Sequence, residues 1–289
     1  MDDITPVQWF PGHMAKTRRK IKENLAKVDA VAELLDARIP ISSRNPDLGG
    51  LIGQKPRIVL LNKADAADEL ATRRWLSHFH KQGIGALALD CRSGKGLNQF
   101  APAVRELLKD RIAAWAAKGM AGRPIKVMIV GIPNVGKSSF INRMAGGARA
   151  KVEDRPGVTR GNQWFSIGKG LELLDTPGVL WPKFEDPAVG ERLAFMGSVR
   201  DTILDTEQLA ARLASLLGGE HPGMLRARYR LPEIEISDGF ALLEQIGRRR
   251  GMLVSGGEVD LERAASTLLD EFRGGKLGRI TLEMPEDDV

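Results

Sequence analysis

The chain has 289 residues, 43% hydrophobic and 28% charged, a composition that excludes both a disordered chain and a membrane-embedded bundle and suits two domains of ordinary size. One cysteine, Cys91, excludes an intrachain disulfide; no Cys/His spacing suits zinc, and the opening MDDITPVQWF lacks the basic flank and apolar run of a secretory leader. A cytoplasmic protein with no membrane partner is therefore expected, and the formal charge of +6 with a pI near 9.5 suits a polyanionic partner or simply a basic, soluble surface.

The first feature along the chain is basic. Lys16, Arg18, Arg19, Lys20, Lys22 and Lys27 face a single acid, Glu23, a pattern that suits a phosphate backbone or a solvated helix face. Next come three short apolar runs that end in polar residues: VAELLDARIP, RIVLLNKAD and IGALALDCRSG. Such runs read as buried strands of a parallel sheet. Between and after them, Ala67–Gln82 and Leu97–Lys118 are helix-compatible. A fourth run, PIKVMIVG, leads into a glycine-rich loop and the helix-like SSFINRMAG, and NQWFSIG with LELLDTPG reads as a strand pair. Strands alternating with helices predict an α/β fold, a doubly wound and mostly parallel sheet with ligand loops at the carboxyl ends of its strands. From about Glu185 the pattern changes. DTEQLAARLASLL, SDGFALLEQIGRRRG and EVDLERAASTLLDEF are amphipathic at helical spacing, with Asp205 and Ser237 or Asp238 as N-caps. The expected organisation is an α/β domain over 1–184 and a small all-helical domain over 185–289.

Three motifs carry chemistry. Gly131-Ile-Pro-Asn-Val-Gly-Lys-Ser138 fits G-x-x-x-x-G-K-[ST] between a strand and a helix, the setting in which the pattern means a phosphate-binding P-loop. Its glycines let successive N–H groups from Asn134 through Val135, Gly136, Lys137, Ser138 and Ser139 face phosphate. Lys137 would reach the β- and γ-phosphates and Ser138 would hold Mg²⁺. Asn62-Lys63-Ala64-Asp65 selects the base: a carboxylate offers only acceptors, and guanine presents adjacent N1–H and N2–H donors where adenine presents an acceptor. Asn62 can brace base and P-loop, and the Lys63 stem can lie along the ring. Asp175-Thr-Pro-Gly178 supplies an acid for the Mg²⁺ shell and a glycine N–H facing the γ-phosphate. Thr159, in PGVTR, is a candidate for the same shell, or an ordinary loop residue. Lys137 and Thr159 are the candidate catalytic residues of these loops.

The order is unusual. Guanine recognition comes first, then Asp90-Cys91-Arg92, then the P-loop, then Thr159 and Asp175. That is a circular permutation of the ordinary order. With Trp9-Phe-Pro-Gly-His-Met14, Asp36-Ala-Arg-Ile-Pro40 and FRGGKLGRITLE near the C-terminus, the chain resembles the circularly permuted ribosome-assembly GTPases over most of its length. The resemblance implies hydrolysis of GTP to GDP and phosphate, a role in late assembly of the large ribosomal subunit, stimulation by that subunit, and rRNA contacts from the helical domain. A monomer is expected.

Val179 and Leu180 stand where many GTPases place a water-positioning glutamine, so slow intrinsic turnover is expected. The resemblance nominates His13 to orient the attacking water; alternatively His13 structures its segment or contacts RNA. Asn134 resembles a potassium-binding asparagine of related GTPases, or is an ordinary loop residue. Asp90-Cys91-Arg92 replaces the more usual Ser-Ala-Lys, so guanine O6 would be read by backbone N–H groups around Cys91, itself a small buried side chain. Arg226, Arg228 and Arg230, with Arg248, Arg249 and Arg250, are candidate RNA contacts; the second cluster alternatively complements a helix C-terminus. The competing function is a GTP-binding regulatory module with negligible hydrolysis and another RNA or protein partner.

Overall fold

A computed structural model describes residues 19, 21–146, 163–168, 170–178, 184, 186–199, 205–232 and 238–285. They fall into two compact units. One is Phe184–Ile280; the other takes the described residues before it together with 281–285. The helical unit is thus an insertion in the α/β unit rather than a C-terminal appendage to it. The expected boundary at 184/185 leaves out this return of the chain, because five residues in a glycine- and charge-rich tail carry no periodic signal.

The α/β unit is a six-stranded sheet. Its strands are β1 (Ala30–Asp36), β2 (Arg57–Asn62), β3 (Gly85–Ala88), β4 (Ile125–Val130), β5 (Trp164–Ser166) and β6 (Leu171–Asp175), in the order β3-β2-β1-β4-β6-β5. All neighbours are parallel except β5 on β6. In β1 every residue is buried, as expected of a central parallel strand covered on both faces. One apolar cluster joins Ile21, Leu25, Val31, Leu48, Met128 and Leu174, and another joins Leu35, Val59, Leu61, Trp75 and Phe79.

Helices α1 (Asp47–Ile52), α2 (Glu69–Lys81), α3 (Phe100–Leu107), α4 (Lys109–Ala117) and α5 (Lys137–Met144) link the strands. Asp68 caps α2 by accepting the Ala71 N–H at 2.7 Å, satisfying one of the orphan donors of the first turn. The expected 97–118 helix is instead a 3₁₀ turn and then two helices, with a break at Leu108. Leu108 is buried, whereas α4 buries none of its residues; the bend takes the last anchored side chain into the core and leaves α4 to run over the surface.

The helical unit holds α6 (Pro187–Phe195), α7 (Thr206–Glu220), α8 (Pro222–Tyr229), α9 (Gly239–Arg249) and α10 (Leu261–Arg273). Asp205, Asp238 and Asp260 cap α7, α9 and α10 by side-chain acceptance. At Gly239 a Cβ would lie 1.8 Å from the Ala211 carbonyl oxygen, so only glycine allows α9 to start this close to α7. Glu271 receives Arg228 (Nε 2.9 Å) and Arg250 (Nη2 3.1 Å), which holds its carboxyl down at about 2.

Candidate functional site

The sheet order sets the site. Polar loops leave the carboxyl ends of β3, β2, β1, β4 and β6 along one edge, so the segments beginning at Leu89, Lys63, Ala37, Gly131 and Thr176 stand side by side. Residues separated by more than a hundred positions in the chain become neighbours because parallel strands all finish at the same end.

Asn62, the last residue of β2, ties three of these loops. Its Nδ2 donates to the Val135 carbonyl at 2.8 Å, and its Oδ1 accepts the Cys91 N–H at 3.1 Å. With 3% of its surface exposed, both ends of the amide are satisfied inside the protein. Lys63, at φ +60°, extends its ammonium to the Asn134 carbonyl at 3.0 Å and to Asp36 Oδ2 at 3.0 Å. Asp36 in turn receives Arg38 through Nε at 2.9 Å and Nη2 at 2.8 Å. Burial opposes its charge most strongly, but the Arg38 and Lys63 cations hold the Asp36 carboxyl far below the usual carboxylate range. Arg38 itself is buried and stays protonated.

Asp65 is partly open to solvent, paired with Arg92 Nη2 at 3.0 Å. The Arg92 side chain is 79% exposed, so the pair is screened and readily displaced. Asp65 can therefore offer its oxygens to adjacent N–H donors. Both Asp90 oxygens serve the next turn of the chain, taking the Arg92 N–H at 2.7 Å and the Ser93 N–H at 3.1 Å. The Cys91 N–H, one of the backbone groups around Cys91, donates to Asn62 Oδ1. Both residues thus help to shape the loop. The Cys91 thiol is buried, and desolvation pushes it up to about 12, so it is unreactive.

The P-loop runs from Gly131 to Ser138. At Gly131 (φ +156°) a Cβ would lie 2.6 Å from the Leu34 carbonyl oxygen, and at Gly136 (φ +104°) one would lie 2.3 Å from Asn62 Nδ2. Both glycines are required by contact with the neighbouring strands β1 and β2 as well as by backbone conformation. Asn134 also adopts a left-handed conformation, at φ +59°. Lys137, at the start of α5, is buried; its ammonium donates to the Gly131 and Ile132 carbonyls at 3.0 and 2.7 Å. Desolvation lowers it to about 8, with Asp175 acting the other way. Ser138 and Ser139 follow it, both exposed at the first turn of α5.

Beyond β6, the Thr176 hydroxyl donates to the Ile129 carbonyl at 2.6 Å, fastening this loop to β4. A Cβ at Gly178 would lie 2.9 Å from the Pro133 nitrogen and 3.0 Å from Lys137 Nζ, so the loop stands against the P-loop. Asp175 Oδ1 is buried without a hydrogen-bond partner, and burial raises its carboxyl. A desolvated acceptor of this kind, near a phosphate loop with a serine at its end, suits a hard cation bound with oxygen ligands. His13 and Thr159 lie outside the described residues, as do Val179 and Leu180.

In the helical unit, Arg228 and Arg250 are engaged by Glu271 and Arg248 by Glu244 at 2.7 Å. Those pairs lie within the helical unit, and Arg226, Arg230, Arg248, Arg249 and Arg250 are all exposed.

Residues 126–214 match the family described as 50S ribosome-binding GTPase. Ribosome biogenesis GTPase A of Bacillus licheniformis is 50% identical, over 97% of this chain and 99% of that one. A GDP-bound YlqF structure aligns with a TM-score of 0.69 at 31% identity, covering 93% of this chain and 100% of that one. GNP-bound YlqF from T. maritima aligns at 0.65 and 30%, covering 94% and 100%.

Proposed function

The chain belongs to the ribosome biogenesis GTPase A family, and on that premise we propose that it hydrolyses GTP as a switch in late assembly of the large ribosomal subunit, in the cytoplasm, as a monomer. The observation that carries this reading is the ordering of groups along the sheet edge. The Asp65 carboxylate stands after β2, the phosphate loop after β4 and Asp175 at the end of β6, which matches base, phosphates and metal in one extended nucleotide. Asn62 joins the ends by bonding both the P-loop and the 90–92 turn.

In this reading Asp65 accepts guanine N1–H and N2–H, displacing Arg92, while Lys63 flanks the base. Lys137 exchanges the Gly131 and Ile132 carbonyls for phosphate oxygens, recovering in the complex the charge partners that its buried ammonium lacks in the free loop. Ser138 and Asp175, with Thr159, are the ligand set for Mg²⁺, which supplies charge neutralisation on the phosphates. Asn134 is assigned to K⁺ and His13 to the attacking water, both from family resemblance. The exposed Arg226, Arg230 and Arg249 are offered to rRNA phosphate.

Base recognition is tested by Asp65→Asn. The amide presents an N–H toward one guanine donor, so GTP binding should fall ~100-fold or more while xanthosine triphosphate gains. An unchanged preference for GTP would remove Asp65 from the site. Turnover measured with and without large subunits, in potassium and in sodium, tests the rest. Stimulation by subunits is expected, and GTP binding without stimulation in either salt would leave a regulatory module with another partner.

A further inference from the structure

The segment that re-enters the α/β unit after the helical insertion makes contacts that none of the nucleotide motifs explains. Leu282 N–H donates to the Arg38 carbonyl at 2.8 Å. The Glu283 carboxylate accepts the Ile41 N–H at 2.7 Å and the Ser42 N–H at 3.1 Å, and also takes the Ser42 hydroxyl. The Glu283 carbonyl receives Trp75 Nε1 at 2.8 Å, and Thr281 Oγ1 accepts the Asp68 N–H at 3.0 Å. Glu283 is 8% exposed. The carboxylate bonds are charge-assisted and buried, the stronger kind, and the set is concentrated on two places: the turn after β1 and the helix α2 with its cap.

Both places support the guanine loop. The 37–43 turn folds back so that the Ser43 hydroxyl accepts the Asp36 N–H at 3.0 Å, and Ala37 N–H donates to the Asn62 carbonyl at 2.8 Å. Asp36, itself held by Arg38, then grips the Lys63 ammonium, and Asp68 lies three residues beyond Asp65. We propose that Thr281–Glu283 is a positioning latch for guanine recognition, with Glu283 the positioning residue: by fixing the turn that follows Asp36 it holds Lys63 in place and slows release of the guanine nucleotide. The helical unit is tethered to the α/β unit twice. It leaves after the loop beyond Asp175, at the phosphate end, and returns through the latch, at the base end. A partner that pulls on the helical unit therefore has a covalent route to the base as well as to the phosphates.

The latch rests on the assignment of Asn62–Asp65 as the guanine site. The test uses the full-length protein and fluorescent GDP, with inorganic pyrophosphate as a ligand that occupies only the P-loop. Glu283→Ala should accelerate GDP dissociation ~10-fold and leave pyrophosphate affinity within about twofold, and Glu283→Gln, which retains one acceptor, should fall between. A general loss of folding would weaken both ligands alike, so equal losses overturn the latch, as does GDP dissociation within twofold of the parent. Should Glu283→Ala not fold, Trp75→Phe removes the indole N–H and is expected to speed GDP release ~3-fold, no change overturning the proposal. Asp65→Asn separates the two readings. If it alters base preference while Glu283→Ala does nothing, only the latch fails. If it leaves base preference unchanged, the site assignment fails and takes the latch with it.

Discussion

Asn62 is the position at which a single substitution should report on the whole site. Its amide is buried and satisfied at both ends, by the Val135 carbonyl and the Cys91 N–H. Asn62→Ala leaves those two backbone groups facing a small void, at ~1–3 kcal/mol for each buried group without a partner. Water entering the void recovers part of this, so a loss of about 2–3 kcal/mol is expected. Urea unfolding should show it as a lower midpoint with unchanged slope, because the surface exposed on unfolding is the same. The P-loop and the 90–92 turn would also lose their common anchor, and GDP affinity should fall ~10- to 100-fold. Asn62→Asp is informative as a companion. It keeps an acceptor for Cys91 but turns a second one toward the Val135 carbonyl, so it should be no better than alanine. Stability within about 0.5 kcal/mol of the parent together with GDP affinity within twofold would refute the idea that this amide holds the loops together.

Two further outcomes are expected. Gly136→Ala should destabilise the protein well beyond Gly146→Ala: both glycines have positive φ, but only Gly136 would drive a Cβ into Asn62, whereas Gly146 has open space, limiting its cost to ~1–2 kcal/mol of backbone strain. Paired thermal melts check this, and equal losses would refute the contact. The Lys137 ammonium, lowered to about 8 from an ordinary 10.5, binds its proton less tightly folded than unfolded. Its burial cost is therefore fully present below pH 8 and is relieved as pH rises toward 10.5, adding at most ~3 kcal/mol of stability to the nucleotide-free protein across that window. Lys137→Met should be flatter over the same range, since every other titrating group is common to both proteins; parallel curves would refute the assigned burial.

The strand-and-motif skeleton was legible in the sequence because each element announces itself locally. RIVLLN and IKVMIV are apolar runs with few competing readings, and the P-loop and N-K-A-D lie at their ends. Permutation was legible too, since it is a statement about order alone. What escaped were features decided by distant partners. Short helices such as Asp47–Ile52 and Pro222–Tyr229 span too few turns for a periodic stripe to show. Arg228 and Arg250 looked available for RNA because their acid, Glu271, is encoded far from one and on another helix from both. The contacts of the latch had no local signal: Thr281–Glu283 closes the FRGGKLGRITLE segment, but the partners of Glu283 lie more than two hundred residues upstream at Ile41 and Ser42.

The return of residues 281–285 to the α/β unit also sets a clock on biosynthesis. Domains fold as units while the chain emerges N-terminal end first, yet this unit lacks part of its own structure until the helical insertion has been translated and residues 281–285 have followed it. Until then the Ile41 and Ser42 amides and the Trp75 indole have no cap from Glu283. A chain cut short anywhere in the insertion carries every nucleotide motif but an unfinished turn beneath Lys63. In the latch reading, full retention of the nucleotide therefore waits on translation of the helical insertion.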